Sequence, residues 1–374
     1  MLHKGFDVLV IGEGLAGVLA SAAAARQGAR VALVSKGPGS FMLADDCIDF
    51  AALAPGALDS EDGFKREIQF FLDTAAAAGC EYRGGPGETI SVPTILGGFR
   101  DVTLAPVYFG GCDPRQLKAV AVVGFPSILD FDANFVAERL SGMARNEASG
   151  PTYTAHQLEI AGLSEPPRLE IQFAARFDRD ANFRAAVLAA LASVAKSMDL
   201  LMVPGVLGLN TGTAELRDMW RQVGCPICEI ATLPPSVLGI RLFRRFRQYL
   251  SRMGVEEFTG FAVAKVWFRD EHHCAIEVET PGRALQLEAA ALVLATGAFS
   301  HLIDTSTSAN VPSNVFVCGG ALNISEPRNE NAIALVTGIR AGIRAAKLGA
   351  GPCGKMTGDW TNVSTAPTAM PLAR

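Results

Sequence analysis

The order of apolar and polar positions resolves the first fifth of the chain into elements. Residues 6–11 form a short apolar, β-rich run, residues 15–26 are small, alanine-rich helix formers, and residues 30–34 return to β-branched and apolar side chains. A strand, a helix and a second strand within about thirty residues make a βαβ unit. The pattern pauses at Gly37-Pro38-Gly39-Ser40 and resumes as a helix around 64–78. The middle alternates, with strands predicted over 119–123, 169–173, 200–203 and 227–231 and helices over 133–143, 183–195, 214–223 and 240–253. Such alternation predicts a second α/β layer.

From residue 258 the period falls to two. Runs at 261–268, 274–279 and 285–287, separated by polar turns such as Asp270-Glu271-His272, predict an antiparallel meander. Residues 290–295 then close on Thr296-Gly297, and 314–317 close on Cys318-Gly319-Gly320, ahead of a helical stretch at 332–348. These read as strands returning to the first βαβ unit. The expected fold is therefore α/β, with a discontinuous Rossmann-like domain at 1–60 plus 255–350 and an α/β domain inserted at 61–254. Residues 351–374, rich in Thr, Pro and Gly without periodicity, read as a C-terminal tail.

Composition narrows the function classes. A chain of 374 residues that is 49% hydrophobic is large enough for two cores. The net charge of -5 gives no global attraction to nucleic acid. The apolar stretch 6–25 contains Asp7 and Glu13, which hydrocarbon would penalise, and no signal-cleavage pattern follows it, so the expected location is cytoplasmic without a transmembrane segment. Eight scattered cysteines do not make a disulfide scaffold. Only Cys225-Pro226-Ile227-Cys228 has a chemical spacing, that of a redox pair or of half a metal site, and with no second CxxC no metal is expected.

The chemistry sits at the first turn. Gly12-Glu13-Gly14-Leu15-Ala16-Gly17 places G-x-G-x-x-G after a strand and at the mouth of a helix. Gly12 permits the tight turn, Gly14 lets backbone approach a phosphate and Gly17 lets helix and strand pack closely, while the helix N–H groups, including those of Leu15 and Ala16, face the anion. Dinucleotide sites usually end the second strand with Asp or Glu, which binds ribose hydroxyls. Here that place reads Val34-Ser35-Lys36, where Lys36 is either a solvated loop lysine or, with the hydroxyl, suited to a terminal phosphate such as that of FMN or a 2′-phosphate. The expected cofactor is accordingly FMN, with FAD as the alternative. Asp7 before the first strand, together with Ala295-Thr296-Gly297 after a later one, completes a two-domain flavoprotein pattern in which small residues leave room for the nucleotide. Gly319 and Gly320 are assigned to the same site.

With those residues in hand, the chain resembles the B-type flavoprotein component of anaerobic glycerol-3-phosphate dehydrogenase. The resemblance is carried by Phe6-Asp7-Val8-Leu9-Val10-Ile11-Gly12, by Val122-Val123-Gly124 with Leu129-Asp130-Phe131, and most specifically by Thr232-Leu233-Pro234-Pro235-Ser236-Val237-Leu238-Gly239-Ile240-Arg241-Leu242. It implies an FMN-containing subunit that works with a catalytic flavoprotein subunit and a membrane-associated iron–sulfur subunit, moving electrons from sn-glycerol 3-phosphate to quinone. The chain departs from the family pattern between Gly297 and Asn314, where it is shorter, and at 323–330, where a glycine-rich stretch is replaced.

After Pro234 and Pro235 the helix is amphipathic. Arg241, Arg244, Arg245, Gln248 and Arg252 share one face, opposite Leu242, Phe246, Leu250 and Met253. That face is expected to be a solvated surface, a phosphate-capturing site at Arg241 or a docking patch for an acidic partner. Among five histidines, His301 is the weak candidate for a catalytic base because it follows Thr296-Gly297 closely, whereas His272 and His273 fall in a hairpin turn. Three functions remain open from the sequence. They are an electron-transferring flavin subunit, a scaffold that keeps the fold without turnover, and a self-sufficient flavin oxidoreductase.

Overall fold

Four or five consecutive buried residues at Val8–Ile11, Val31–Ser35 and Ala291–Leu294 are the pattern of strands covered on both faces, which parallel sheets require. The computed structural model describes residues 2–43, 45–50, 61–145, 150–160, 167–270, 272–281, 284–297, 312–322, 330–349 and 361–362. The chain divides into two units, Met1–Gly39 with Tyr249–Arg374 and Ser40–Gln248. It thus leaves the first unit sooner than the expected limit at residue 60.

The first unit opens with β1 (Leu2–Gly5), β2 (Val8–Ile11), α1 (Leu15–Arg26) and β3 (Val31–Ser35). The second contains α2 (Glu61–Ala77) and four short strands, β4 (Tyr82–Gly84), β5 (Ile90–Pro93), β6 (Phe99–Val102) and β7 (Leu104–Pro106). It continues with β8 (Ala119–Gly124), α3 (Ala133–Ala144), β9 (Thr152–Gln157), α4 (Glu170–Arg179), α5 (Ala181–Ala195), β10 (Leu200–Pro204), α6 (Thr213–Val223), β11 (Ile227–Ile230) and α7 (Val237–Arg252). The return to the first unit brings β12 (Glu256–Thr259), β13 (Val263–Asp270), β14 (His273–Val278), β15 (Leu285–Ala289), β16 (Ala291–Leu294), β17 (Val315–Val317), α8 (Glu330–Gly349) and β18 (Thr361–Asn362).

In the first unit a five-stranded parallel sheet has the order β12-β3-β2-β16-β17. The chain therefore moves one way from β2 to β3 and the other way to β16, and ligands of open α/β sheets gather at the carboxyl ends beside such a reversal. A second sheet, β1-β15-β14-β13-β18, contains the predicted meander as β13, β14 and β15. Between the two sheets lies a core that includes Leu9, Ile11, Val34, Ile276, Leu287 and Leu292. Helix α1 is buried from Leu15 to Ala24 and packs against α8 at very close range. A Cβ on Gly338 would lie 2.4 Å from the Ala16 carbonyl oxygen, and one on Gly342 would lie 2.2 Å from that of Ala20.

The second unit holds a four-stranded parallel sheet of order β11-β10-β8-β9. Residues 169–173, expected to be a strand, are instead the start of α4. Phe173, Ala174 and Phe177 bury one helical face, so this short apolar run follows a period near four and not two. Strand β9 occupies the sheet edge in a segment that holds the strand formers Thr152, Tyr153 and Thr154 but too few apolar residues to show a period.

Candidate functional site

The Gly12–Gly17 turn is built by close packing. Gly12 has φ +110° and its N–H donates to the Val34 carbonyl at 2.8 Å. A Cβ there would stand 2.2 Å from the Ala295 carbonyl oxygen, and a Cβ on Gly17 would stand 1.8 Å from the Gly12 carbonyl oxygen. Both glycines are thus required by protein neighbours. Gly14 differs, because a Cβ on it would meet no heavy atom within 4 Å. Open space over Gly14 at a helix start that carries no side-chain cap is what a bound phosphate would need. The Val18 N–H already reaches the Gly14 carbonyl, so the amides of Leu15, Ala16 and Gly17 point beyond the helix end.

The neighbouring loops emerge at the same edge. The Ala295 N–H donates to the Ile11 carbonyl at 2.8 Å, which sets the turn at Ala295, Thr296 and Gly297 beside the Gly12–Gly17 turn. Gly319, with φ +63°, would bring a Cβ within 2.8 Å of the Ala16 Cβ, and its N–H donates to Thr337 Oγ1 at 2.9 Å. Gly320 follows it and is exposed. Lys36 is exposed after the end of β3. His301 and almost all of the tail at 351–374 lie outside the described residues.

The sequence pattern did not single out one residue that the structure places here. Glu13 is 1% exposed, and its Oε2 accepts hydrogen bonds from Ser35 Oγ at 2.6 Å and from Thr259 Oγ1 at 3.3 Å. The strand end that lacks an acid of its own is therefore in contact with one. The visible signal was an acid between two glycines, facing a serine where an acid is customary.

Arg241, Arg244 and Arg245 of α7 belong to the second unit, and the structure corrects their reading. Arg241 is 1% exposed and does not stand on a basic surface. Its Nη1 and Nη2 donate to Glu229 Oε2 and Oε1 at 2.6 and 3.0 Å, and its Nε donates to the Gly208 carbonyl at 2.9 Å. Arg245 is bound to the Asn210 carbonyl and to Glu215, whereas Arg244 is exposed and donates to Asn210 Oδ1 at 3.2 Å. The expected continuous basic face is thus broken at its first member.

Close to this pair is a buried acid. Asp46 has φ +64° and is 5% exposed, its Oδ2 accepting from the Tyr108 hydroxyl at 2.8 Å and its carbonyl from the Tyr82 hydroxyl at 3.0 Å. Burial, helped by the adjacent Asp45 carboxylate, holds its carboxyl well above the usual range against the opposing effects of Tyr108 and Arg241. Cys225 and Cys228 are buried free thiols. Burial pushes Cys225 up to about 11 and Cys228 higher still. No group of three or more metal-ligating side chains occurs among the described residues, nor is any described helix long and apolar enough to cross a membrane.

Part of the chain matches a known family, and its relatives share one description. Residues 7–79 match the family described as FAD binding domain. The chain is 26% identical over 329 residues to the B component of anaerobic glycerol-3-phosphate dehydrogenase from Yersinia pestis bv. Antiqua (strain Antiqua), covering 79% of this chain and 75% of that protein. It is 27% identical over 335 residues to the protein of the same description in Yersinia enterocolitica serotype O:8 / biotype 1B, with the same shares covered. The corresponding protein of Pectobacterium carotovorum subsp. carotovorum (strain PC1) is 27% identical over 332 residues, again over 79% of this chain and 75% of that protein.

Proposed function

We propose that this chain is a flavin-binding, electron-transferring subunit of a dehydrogenase complex like anaerobic glycerol-3-phosphate dehydrogenase. The observation that carries the reading is the Gly12–Gly17 turn, open above Gly14 at the mouth of α1 and lying within the residues that match an FAD-binding family. The flavin is FAD in preference to FMN, as that family match favours. A bound flavin would supply the step from two-electron to one-electron chemistry that links an alcohol donor to an iron–sulfur carrier.

The chain's own residues do the holding. First-turn amides of α1 hold the phosphates, and Gly12 and Gly17 fix the loop against Ala295. Thr296, Gly297, Gly319 and Gly320 give small boundaries to the cofactor's other side, and Lys36 lies at the outer rim. The partners are a catalytic flavoprotein subunit and an iron–sulfur subunit, with sn-glycerol 3-phosphate as electron donor, quinone as acceptor and peripheral placement at the membrane through the partners.

A visible absorption spectrum of the purified protein tests the reading. A flavin band is expected, with mass spectrometry of the released cofactor giving FAD. Loss of the band in Gly14→Val locates the phosphate. A colourless wild type that takes up neither FAD nor FMN refutes the proposal, and so does full flavin content in Gly14→Val.

A further inference from the structure

We propose that Glu13 is the ribose carboxylate of this nucleotide site, reaching from the phosphate loop to the place that a strand-end acid ordinarily fills. The inference rests on the flavin reading above and adds a residue that decides which flavin is taken.

A dinucleotide site needs a carboxylate where the second strand ends, because a ribose 2′,3′-diol donates two hydrogen bonds and an ionised acid accepts them. Strand β3 ends at Ser35, which accepts and donates but carries no charge. Its hydroxyl is nevertheless spent on Glu13, 2.6 Å away. Thr259, paired with Ser35 in the register of β12 and β3, offers a second hydroxyl to the same oxygen at 3.3 Å. Two adjacent strand ends thus hold the Glu13 carboxylate at the position an acid at 35 would reach. The phosphate loop and the acid have been brought into one residue run, and the space above Gly14 lies next to it.

The alternative partner for a terminal group, Lys36, is exposed beyond the strand end. A cation there is compatible with phosphates passing the rim, while the buried acid selects a diol. A site with Glu13 in this place favours a nucleotide with a free adenosine 2′,3′-diol, as in FAD. It disfavours a 2′-phosphate by like charge, and it gives FMN, which has no ribose ring, nothing to bind at this point.

The test exchanges the two positions. The full-length apoprotein of wild type, Glu13→Gly, Glu13→Gln and the double variant Glu13→Gly/Ser35→Glu is titrated with FAD and with FMN by fluorescence. ADP and 2′-deoxy-ADP serve as competitors, and thermal melting reports the fold. The wild type should prefer FAD to FMN and ADP to 2′-deoxy-ADP. Glu13→Gly should lose about 10- to 100-fold in FAD affinity and the preference for ADP, with FMN affinity little changed. Returning the acid to the strand end in the double variant should restore most of both, which a purely structural role of Glu13 would not produce. If Glu13→Gly melts early, Glu13→Gln carries the same expectation with a smaller loss. Equal FAD affinity and equal ADP discrimination in wild type and either single variant overturn the assignment while leaving the flavin reading intact. A wild type that binds neither flavin overturns both.

Discussion

Replacing Arg241 by methionine separates a structural role from a phosphate-binding one. Methionine approximates the length of the side chain but removes three charge-assisted hydrogen bonds, at 2.6 and 3.0 Å to Glu229 and 2.9 Å to the Gly208 carbonyl. It also removes a cation placed 5.4 Å from the Tyr108 ring centroid. Glu229, fully buried, would keep the Val206 and Leu207 N–H groups at 3.0 and 2.9 Å but lose its counter-charge. Breaking a buried ion pair from one side typically costs about 3–5 kcal/mol. For a unit of this size each kcal/mol moves the midpoint by about 2–4 °C, so the variant should melt roughly 6–20 °C below wild type. Differential scanning calorimetry and urea unfolding give the measurement. Glu229→Gln/Arg241→Met should recover at least half of the loss, because the amide oxygen still accepts from the backbone and no buried charge is left alone. A loss under about 1 kcal/mol in Arg241→Met, accompanied by weaker phosphate binding, would refute this reasoning and return Arg241 to a ligand site.

Asp46→Asn reports on pH dependence. Because burial raises the native pKa of Asp46, its stabilising contribution is complete below the ordinary carboxylate value of about 3.9 and is lost as pH rises from there towards the raised value, so the variant should gain on wild type as the pH is raised above about 4. A stability difference that stays constant over that window, in parallel urea titrations, would contradict the assignment. Gly338→Ala should cost about 1–3 kcal/mol in a thermal melt despite alanine's better helix propensity, since the new Cβ meets the Ala16 carbonyl; a neutral or stabilised variant would show that α8 can retreat freely. Cys225 and Cys228 should resist iodoacetamide at neutral pH in the folded chain and react once it is unfolded, and rapid native labelling by mass spectrometry would show that burial does not suppress their thiolates.

Local patterns carried much of the fold. The βαβ unit, the meander and most of the alternating middle are visible because their apolar runs are long enough to show a period. The polar strand β9 escaped because an edge strand needs few apolar residues, and here Tyr153 is the one buried residue. Residues 169–173 misled because a five-residue run does not distinguish a strand from the first turn and a half of a helix. At the site, the glycines were legible since their spacing states a backbone geometry. The partners of Arg241 and Glu13 were not. Arg241 meets an acid on another element, and Glu13 meets two hydroxyls, one of them supplied from position 259. Such pairings depend on strand order, which residue spacing does not encode.

The strand order also sets a schedule for biosynthesis. Strand β2 lies at the centre of its sheet between β3 and β16, and β3 is covered on its outer side by β12. When the first βαβ unit leaves the ribosome, neither β12 nor β16 exists, and more than two hundred residues must follow before both do. At roughly 5–20 residues per second, this apolar ribbon waits for on the order of ten seconds or more with two unpaired edges. Throughout that interval its edges are open to pairing with other nascent chains. The inserted unit, whose sheet is formed entirely from residues 119–230, can close first. Synthesis of this protein is therefore expected to depend on chaperones that shield its first thirty-five residues until residue 294 has emerged.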